Sequence, residues 1–441
     1  MRYSRVMQWN FNKSIAECIK TFAHDDTERL IENRRHIHSY PEPSYGEHQT
    51  SAYIQTELAA AGITHTGGWG EVPAGYQTPG FLTGNYGIRA ILPALRNANA
   101  SRTVALRADM DALPVKEESG LPFASINSGF MHACGHDAHT AMVLSAARIL
   151  KRLRDETSDL PGDEFPGNVV FIFQPAEELA PGGAQSLIQQ GILAGTADTA
   201  PVGAVFGQHV NPGLPAGMLG FRPGLHMAGV DDFEIRIGGR GGHAAGPDQL
   251  IDPIVIAAQL ILALQTIVSR RANPQTPTVL SFGRIEGLGA YNIIPDEVRI
   301  LGTFRTSNTD WKREAVELIR TTSIAFCKSL GASATVRIVP GYPPLANDTN
   351  LANFAREAGV ALVGEEQVVE LPLVMWAEDF AYYGKAIPAN FHNLGVANQA
   401  LDWNLPLHNC RFKIDESALA TGAAYLAWLA FNALSSSVLD S

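Results

Sequence analysis

The chain has 441 residues, is 46% hydrophobic and 17% charged, and carries a formal net charge of -11. Such a length and apolar content give a globular protein with ample core and more than one domain. The acidic balance argues against a nucleic-acid or anionic-membrane partner.

Four scattered cysteines, Cys18, Cys134, Cys327 and Cys410, make no disulfide framework and suit a reducing compartment. The opening MRYSRVMQWNFNKSIAECIK lacks the apolar core of a signal peptide. No stretch approaches the roughly 18 uninterrupted apolar residues of a membrane span. A cytoplasmic protein is expected.

In chain order, Leu30, Ile31, Arg34 and Ile37, then Tyr53, Ile54 and Leu58, recur at spacings of three and four and predict two helices. Gly62 closes the second. GIRAILPA and TVALRADM predict strands, and a helix is expected from about Ala138 to Leu153. ETSDLPGDEFPG (156–167) is acidic, rich in Pro and Gly, and predicts a surface loop. NVVFIFQPA and AVFGQHV predict buried strands. This alternation predicts an α/β layer, helices over a largely parallel sheet. No internal repeat is seen.

The pattern changes near residue 228. DDFEIRIGG sets Phe233, Ile235 and Ile237 on one face. A helix from Asp252 to about Arg271, strands TVLSFGRIE and EVRILGTFR, a helix from Asp310 to Ser329 and a strand ATVRIV follow. This β-α-β-β-α-β order is the split pattern of a two-layer α+β domain. The expected division is 1–227, an insertion at 228–340, and a return to the first domain at 341–441, closed by an Ala- and Leu-rich helix from Asp415.

The stretch MHACGHDAHT (131–140) holds one cysteine and three histidines. A thiolate and an imidazole flanking a glycine, as Cys134 and His136 do, can converge on a divalent metal, although such a pair alone is more often incidental. His132 and His139 read as hydrogen-bonded turn residues. FIFQPAEE ends a buried strand with Glu177 and Glu178, either a solvated helix-start pair or one ligand and one general base. His209 ends a strand in GQHV, and His408 lies in the loop PLHNC; each alone is unremarkable. Asp109 and Asp111 in LRADMDALP are turn residues or acids that orient a ligand histidine. Together these are too many ligand types for one tetrahedral ion and suit a two-metal centre with a shared ligand, the spare carboxylate serving as proton acceptor.

With these residues in place, the sequence resembles the M20 metallopeptidase family, in particular its amidohydrolase branch of hippurate hydrolases, plant auxin-conjugate hydrolases and N-acyl amino acid deacylases. The matching blocks include RRHIHSYPEPSYGEHQT, ALRADMDALPVKEESGLPFAS, GFMHACGHDAHTAM, FIFQPAEE, GQHVNPGLPAGMLGFRPG, GGRGGHAAGPDQLIDP, YNIIPDEVRILGTFRT, WAEDFAYY and PLHNCRFKIDES. The resemblance implies a zinc-exopeptidase-like catalytic domain with a ferredoxin-like lid inserted. It implies that Cys134, His136, Glu178, His209 and His408 bind two divalent ions with Cys134 bridging, and that Glu177 is the base. Zinc suits such ligands, and manganese, cobalt or nickel could occupy them. His243, in GGHAAGP, resembles a lid histidine that donates to the tetrahedral oxyanion, and in similar dimers it reaches the partner's site. Asn292 and Arg305 match residues that face the substrate carboxylate, with Arg299 on the same strand as competitor. The implied substrate is an N-acyl amino acid; a dipeptidase or carboxypeptidase of the same superfamily, or a metal-dependent binding protein without catalysis, is the alternative.

Three features depart from the pattern. Cys410 stands where similar proteins have Pro, Trp376 is bulkier than expected, and the 156–167 segment resembles an addition.

Overall fold

The computed structural model describes residues 9, 11–72, 84–95, 101–156, 165–196 and 199–440. It divides into two compact units: Met1–Gly224, Asn347–Pro372 and Tyr382–Ser441 form one, Leu225–Ala346 and Leu373–Ala381 the other. The sequence division does not anticipate that Leu373–Ala381 joins the second unit. There Ala228 N donates to Val374 O and Arg305 Nη1 to Met375 O, both at 3.1 Å.

The first unit is built on an eight-stranded sheet. Its order is Thr64–Glu71, Gly84–Leu92, Asn168–Gln174, Thr103–Asp109, Ala204–Pro215, Ala389–Ala397, Leu219–Phe221 and Val368–Glu370. The four central strands, Asn168–Gln174 to Ala389–Ala397, are parallel. The pairings flanking them are antiparallel on both sides. The expected parallel sheet is thus its centre only. Pro215 and Leu219 are too close in sequence for a crossover, so Leu219–Phe221 runs back in the opposite direction.

Strands Thr103–Asp109, Asn168–Gln174 and Ala389–Ala397 are buried at every position, as residues covered on both faces must be. Helices His136–Glu156 and Ala418–Ser435 pack on each other and on this sheet. The latter is long and apolar enough to cross a membrane, yet it is a core helix. Its Trp428 Nε1 donates to Ala358 O at 2.9 Å and its Tyr425 hydroxyl to Ala355 O at 2.7 Å, so the buried aromatics leave no polar tip unpaired. Helix Lys13–Asp25, which the periodicity reading missed, is capped by Asn12, whose side chain accepts from Ser14 N at 3.0 Å. Gly62 takes φ +66 after helix His48–Ala60, the left-handed turn expected of it.

The second unit has a four-stranded antiparallel sheet in the order Thr278–Glu286, Glu297–Thr306, Gly229–Gly238, Ser333–Pro340. Numbered by occurrence this is 2-3-1-4, the ferredoxin-like arrangement. Phe233, Ile235, Ile237, Val298, Ile300 and Phe304 form a core with helices Pro253–Thr266 and Thr309–Ser329. Asp252 caps the first helix and Asn308 the second. The first ends in a π-helical turn, Ile267–Arg271, inside the span expected to be α-helical. A short ribbon pairs Gly242–His243 with Ile293–Ile294. All four cysteines are free.

Candidate metal centre

The site is assembled in the first unit from strand ends. Asp109 closes Thr103–Asp109, and Asp111 follows in the turn beyond it. The turn 131–135 then leads into helix His136–Glu156. Gly135 makes that entry: it has φ +86, and a Cβ there would lie 2.4 Å from Val210 Cγ2. The helix begins two residues earlier than expected, so His136 and Asp137 belong to its first turn.

Two of the three candidate ligand histidines, His136 and His209, have their tautomer set by a partner. His136 Nδ1 donates to the Asp111 carbonyl at 2.9 Å, with Asp111 Oδ1 at 3.3 Å, which leaves Nε2 bare. His209 Nδ1 donates to Val210 O at 2.7 Å, which turns Nε2 toward Cys134 Sγ, 3.5 Å away. These are the outer contacts that orient a metal-binding imidazole.

The acids sit on the turn after strand Asn168–Gln174. Glu177 N donates to Asp111 Oδ1 and Glu178 N to Asp111 Oδ2, each at 3.0 Å. Ser44 Oγ donates to the same carboxylate at 2.6 Å. His408 takes φ +65 and places Nε2 3.4 Å from Glu178 Oε1, which is 3.8 Å from His136 Nε2. Within 4.8 Å spheres the ligand atoms group as Cys134, His136 and His209; Cys134, Glu178 and His408; and His136, Glu177 and Glu178. Cys134 stands in two of these sets. All five proposed ligands and Glu177 are thereby brought together.

The electrostatics fit a cation. His136 Nε2 and Glu178 Oε1 are buried without a hydrogen-bond partner. Burial opposes charge on His136, but Asp109, Asp111 and Glu178 outweigh it and hold the imidazole at about 10. Burial, then the Glu178, Glu177 and Asp109 carboxylates, push the Cys134 thiol well above its usual range. Burial and the neighbouring His139 drive His209 well below its usual range. A pocket that favours an imidazolium and disfavours a thiolate carries surplus negative charge, and divalent ions on S, N and O donors correct both.

Asp111 is the acid that orients His136. Asp109 instead pairs with His139: Nδ1 donates to Asp109 Oδ1 at 2.6 Å, while His139 Nε2 accepts from Val210 N at 2.9 Å. His139 is hydrogen-bonded as expected, but it lies on the helix rather than in a turn. The expectation for His132 fails: it is 1% exposed, neither ring nitrogen has a hydrogen-bond partner, and burial pushes it down to about 4. Behind the turn, Asp137 Oδ2 accepts from Arg34 Nε at 2.7 Å and from His38 Nδ1 at 2.8 Å, both fully buried. His38 Nε2 reaches Glu117 Oε1 at 3.1 Å. Sequence reasoning missed Ser44, His38 and Glu117, whose only sequence signal is their place in the quoted blocks.

The remaining predicted residues lie in the second unit. His243 is exposed, and its Nδ1 accepts from Ala245 N at 3.1 Å. Asn292 is exposed beside it, its carbonyl accepting from Ala244 N at 3.0 Å. Arg305 is half-buried. Arg299 is bound to Glu234. Cys410 contacts Glu118, with Sγ 3.7 Å from Oε2, and belongs to none of the ligand groups found among the described residues. Trp376 is half exposed. The 156–167 loop lies mostly outside the described residues.

A model of Peptidase family M20/M25/M40 matches residues 105–432. The chain belongs to the M20 peptidase family. This M20 chain is 39% identical over 410 residues to IAA-amino acid hydrolase ILR1-like 5 of Arabidopsis thaliana, covering 91% of this chain and 86% of that one. It is 37% identical over 398 residues to N-acetyl-L-cysteine deacetylase of Bacillus subtilis, covering 90% and 86%. The crystal structure of Bacillus subtilis YXEP protein, described as a dinuclear metal binding peptidase from the M20 family, superposes with a TM-score of 0.72 at 34% identity, covering 93% and 99%. Membership and the ligand cluster make this M20 chain a hydrolase with a dinuclear-type metal centre.

Proposed function

We propose that the chain hydrolyses the amide bond joining an acyl group to the nitrogen of an amino acid, releasing a carboxylic acid and the free amino acid. The observation that carries the reading is Glu177: a carboxylate 5% exposed, grouped with His136 and Glu178 yet additional to the five side chains that serve as ligands. Relatives named as an IAA-amino acid hydrolase and an N-acetyl-L-cysteine deacetylase support the substrate class.

In this reading Cys134, His136, Glu178, His209 and His408 would hold two divalent ions, Cys134 being the side chain that stands in two of the ligand groups. When bound, the ions supply Lewis-acid polarisation of the scissile carbonyl and activation of a water. Glu177 accepts the proton of the attacking water and delivers it to the departing amine nitrogen. Asp111 keeps His136 Nε2 bare and aligns both acid residues through their backbone amides. His243 donates to the oxyanion. Asn292 and Arg305 hold the free α-carboxylate, for which the guanidinium fork suits both oxygens.

The second unit also offers a surface to a second copy of the chain. Among the described residues, strand Thr278–Glu286 is an edge strand paired only with Glu297–Thr306. Helix Pro253–Thr266 exposes Ile254, Val255 and Leu262, the last by 72%. An unpaired edge beside apolar side chains suits symmetric strand addition.

The deciding experiment is a hydrolysis screen of N-acetyl, N-benzoyl and N-indoleacetyl amino acids against dipeptides, on enzyme of defined metal content. Preference for dipeptides, or turnover unaffected by a chelator, overturns the reading.

A further inference from the structure

Among the fully buried acids to which the reaction described above gives no role is Glu47. Glu47 lies in the PEPSYGE stretch between helices Thr27–Ser39 and His48–Ala60, and it is 0% exposed. Its Oε1 accepts from Tyr45 N at 3.0 Å and from Ala176 N at 2.8 Å, 129 positions along the chain. Its Oε2 is buried with no hydrogen-bond partner.

Ala176 has φ +57, in the left-handed region that a residue with a Cβ disfavours. A residue held there persists only where its surroundings fix it. The next two residues are Glu177 and Glu178. Three consecutive amides therefore end on two buried carboxyl groups: Ala176 N on Glu47, Glu177 N and Glu178 N on Asp111. The same short segment ties itself to the neighbouring chain at further points. Ser44 Oγ donates to Asp111, Ala112 N to Glu42 O, and the Tyr45 hydroxyl to Gly182 O. Burial, then the charge of Asp111, push the Glu47 carboxyl well above the usual range, while hydrogen bonds from His136 and Ser44 outweigh burial and hold Asp111 below it.

We propose that Glu47 is a positioning residue: by accepting the Ala176 amide it holds the left-handed turn that sets Glu177 and Glu178 at the metal centre. The proposal rests on the reading of Glu177 as base and Glu178 as ligand. The role requires only a side-chain oxygen that accepts from Ala176 N, which a glutamine amide also offers, so glutamine should replace it and an apolar residue should not.

The test compares Glu47→Gln with Glu47→Ala in kcat, KM, metal retained after dialysis, and thermal unfolding. The expected result is that Glu47→Ala lowers kcat at least about tenfold with KM within about threefold, because a misplaced base costs turnover more than binding. It also loses its metal faster than wild type, a readout that needs no turnover. Glu47→Gln stays within about threefold of wild type in kcat and keeps its metal and its pH profile. A merely structural role would lower the unfolding temperature without splitting kcat from KM. Glu47→Met, which fills the volume without an acceptor, replaces Glu47→Ala should the latter not fold.

Wild-type kcat and metal retention in the apolar variants overturn the proposal. So does a Glu47→Gln variant as impaired as Glu47→Ala, and so does failure of both apolar variants to fold. Should Glu177→Gln keep its turnover, the base assignment falls instead, while metal retention still decides the role of Glu47.

Discussion

Arg299 and Glu234 form a two-pronged ion pair, Nε to Oε1 and Nη2 to Oε2, each at 2.9 Å. Arg299 also reaches Glu286 at 3.5 Å. Arg305, six residues along the same strand, donates from Nη1 to a single carbonyl, Met375 O. Strand periodicity places both arginines on one face and cannot choose between them. Their partners can: one guanidinium is already bound to a carboxylate and the other is not.

Arg305→Ala should therefore raise KM for an N-acyl amino acid by roughly 30-fold, or about 2 kcal/mol of charge-assisted binding. The same substrate as its α-amide should be affected far less, and Arg299→Ala should leave the ratio between the two substrates unchanged. Equal losses on acid and amide for Arg305→Ala would remove the assignment.

Glu177→Gln should leave metal content nearly intact and lower kcat by at least about 100-fold, as for a lost general base. Glu178→Gln should instead lose metal. The two variants, compared by metal analysis and steady-state kinetics, separate adjacent acids that sequence alone leaves interchangeable.

Purified chain should bind two divalent ions, because Cys134 stands in two ligand groups. Cys134→Ala should bind fewer than two under the same conditions. Metal analysis after loading with excess zinc or manganese checks this, and a wild-type stoichiometry of one would undo the shared-ligand assignment.

Asp137 gives the fold an acid-sensitive contact. Burial opposes its charge, but Arg34 and His38 outweigh it and hold it far below the usual carboxylate range. A depressed folded value means the stabilisation is present above the unfolded value near 3.9 and is lost as pH falls below it. For His38, burial is outweighed by Asp137 and Glu117, and the imidazole is raised. Its contribution is present below about 6.5 and is lost as pH rises through the raised value. Asp137→Asn should be clearly destabilised near pH 6, by several kcal/mol for a broken buried pair, and the gap to wild type should narrow toward about pH 3. Urea unfolding across that range measures it.

If the second unit joins two copies, Leu262→Glu should shift the chain toward monomer in light scattering after size exclusion. An unchanged mass would place the contact elsewhere or exclude it.

The sequence was legible where local chemistry repeats along the chain. The α+β unit could be read strand by strand because Phe233, Ile235 and Ile237 alternate, and its helices, expected from Asp252 and Asp310, begin at Pro253 and Thr309. The ligand types could be read because His209 and the Glu177–Glu178 pair follow apolar strands, while Cys134 and His136 flank a glycine. What escaped depends on contacts between distant positions. Glu47 with Ala176, Ser44 with Asp111 and His38 with Glu117 are separated by 129, 67 and 79 residues. No periodicity marks such pairs. Helix Lys13–Asp25 was missed although its residues are amphipathic, because its start rests on the single cap Asn12. The antiparallel flanks of the main sheet escaped because burial patterns report covering and not direction.

Strand Ala389–Ala397 lies between Ala204–Pro215 and Leu219–Phe221 in the main sheet, although both neighbours precede it by more than 160 residues. During synthesis at about 5–20 residues per second, the half-built sheet waits on the order of ten seconds for its missing member. Through that interval the edge of Ala204–Pro215, which carries His209, stands open to any passing strand. The ion site cannot close either, because His408 emerges later still. Completion of this sheet therefore waits on Ala389–Ala397, and a nascent chain stalled before residue 389 is the form most exposed to aggregation.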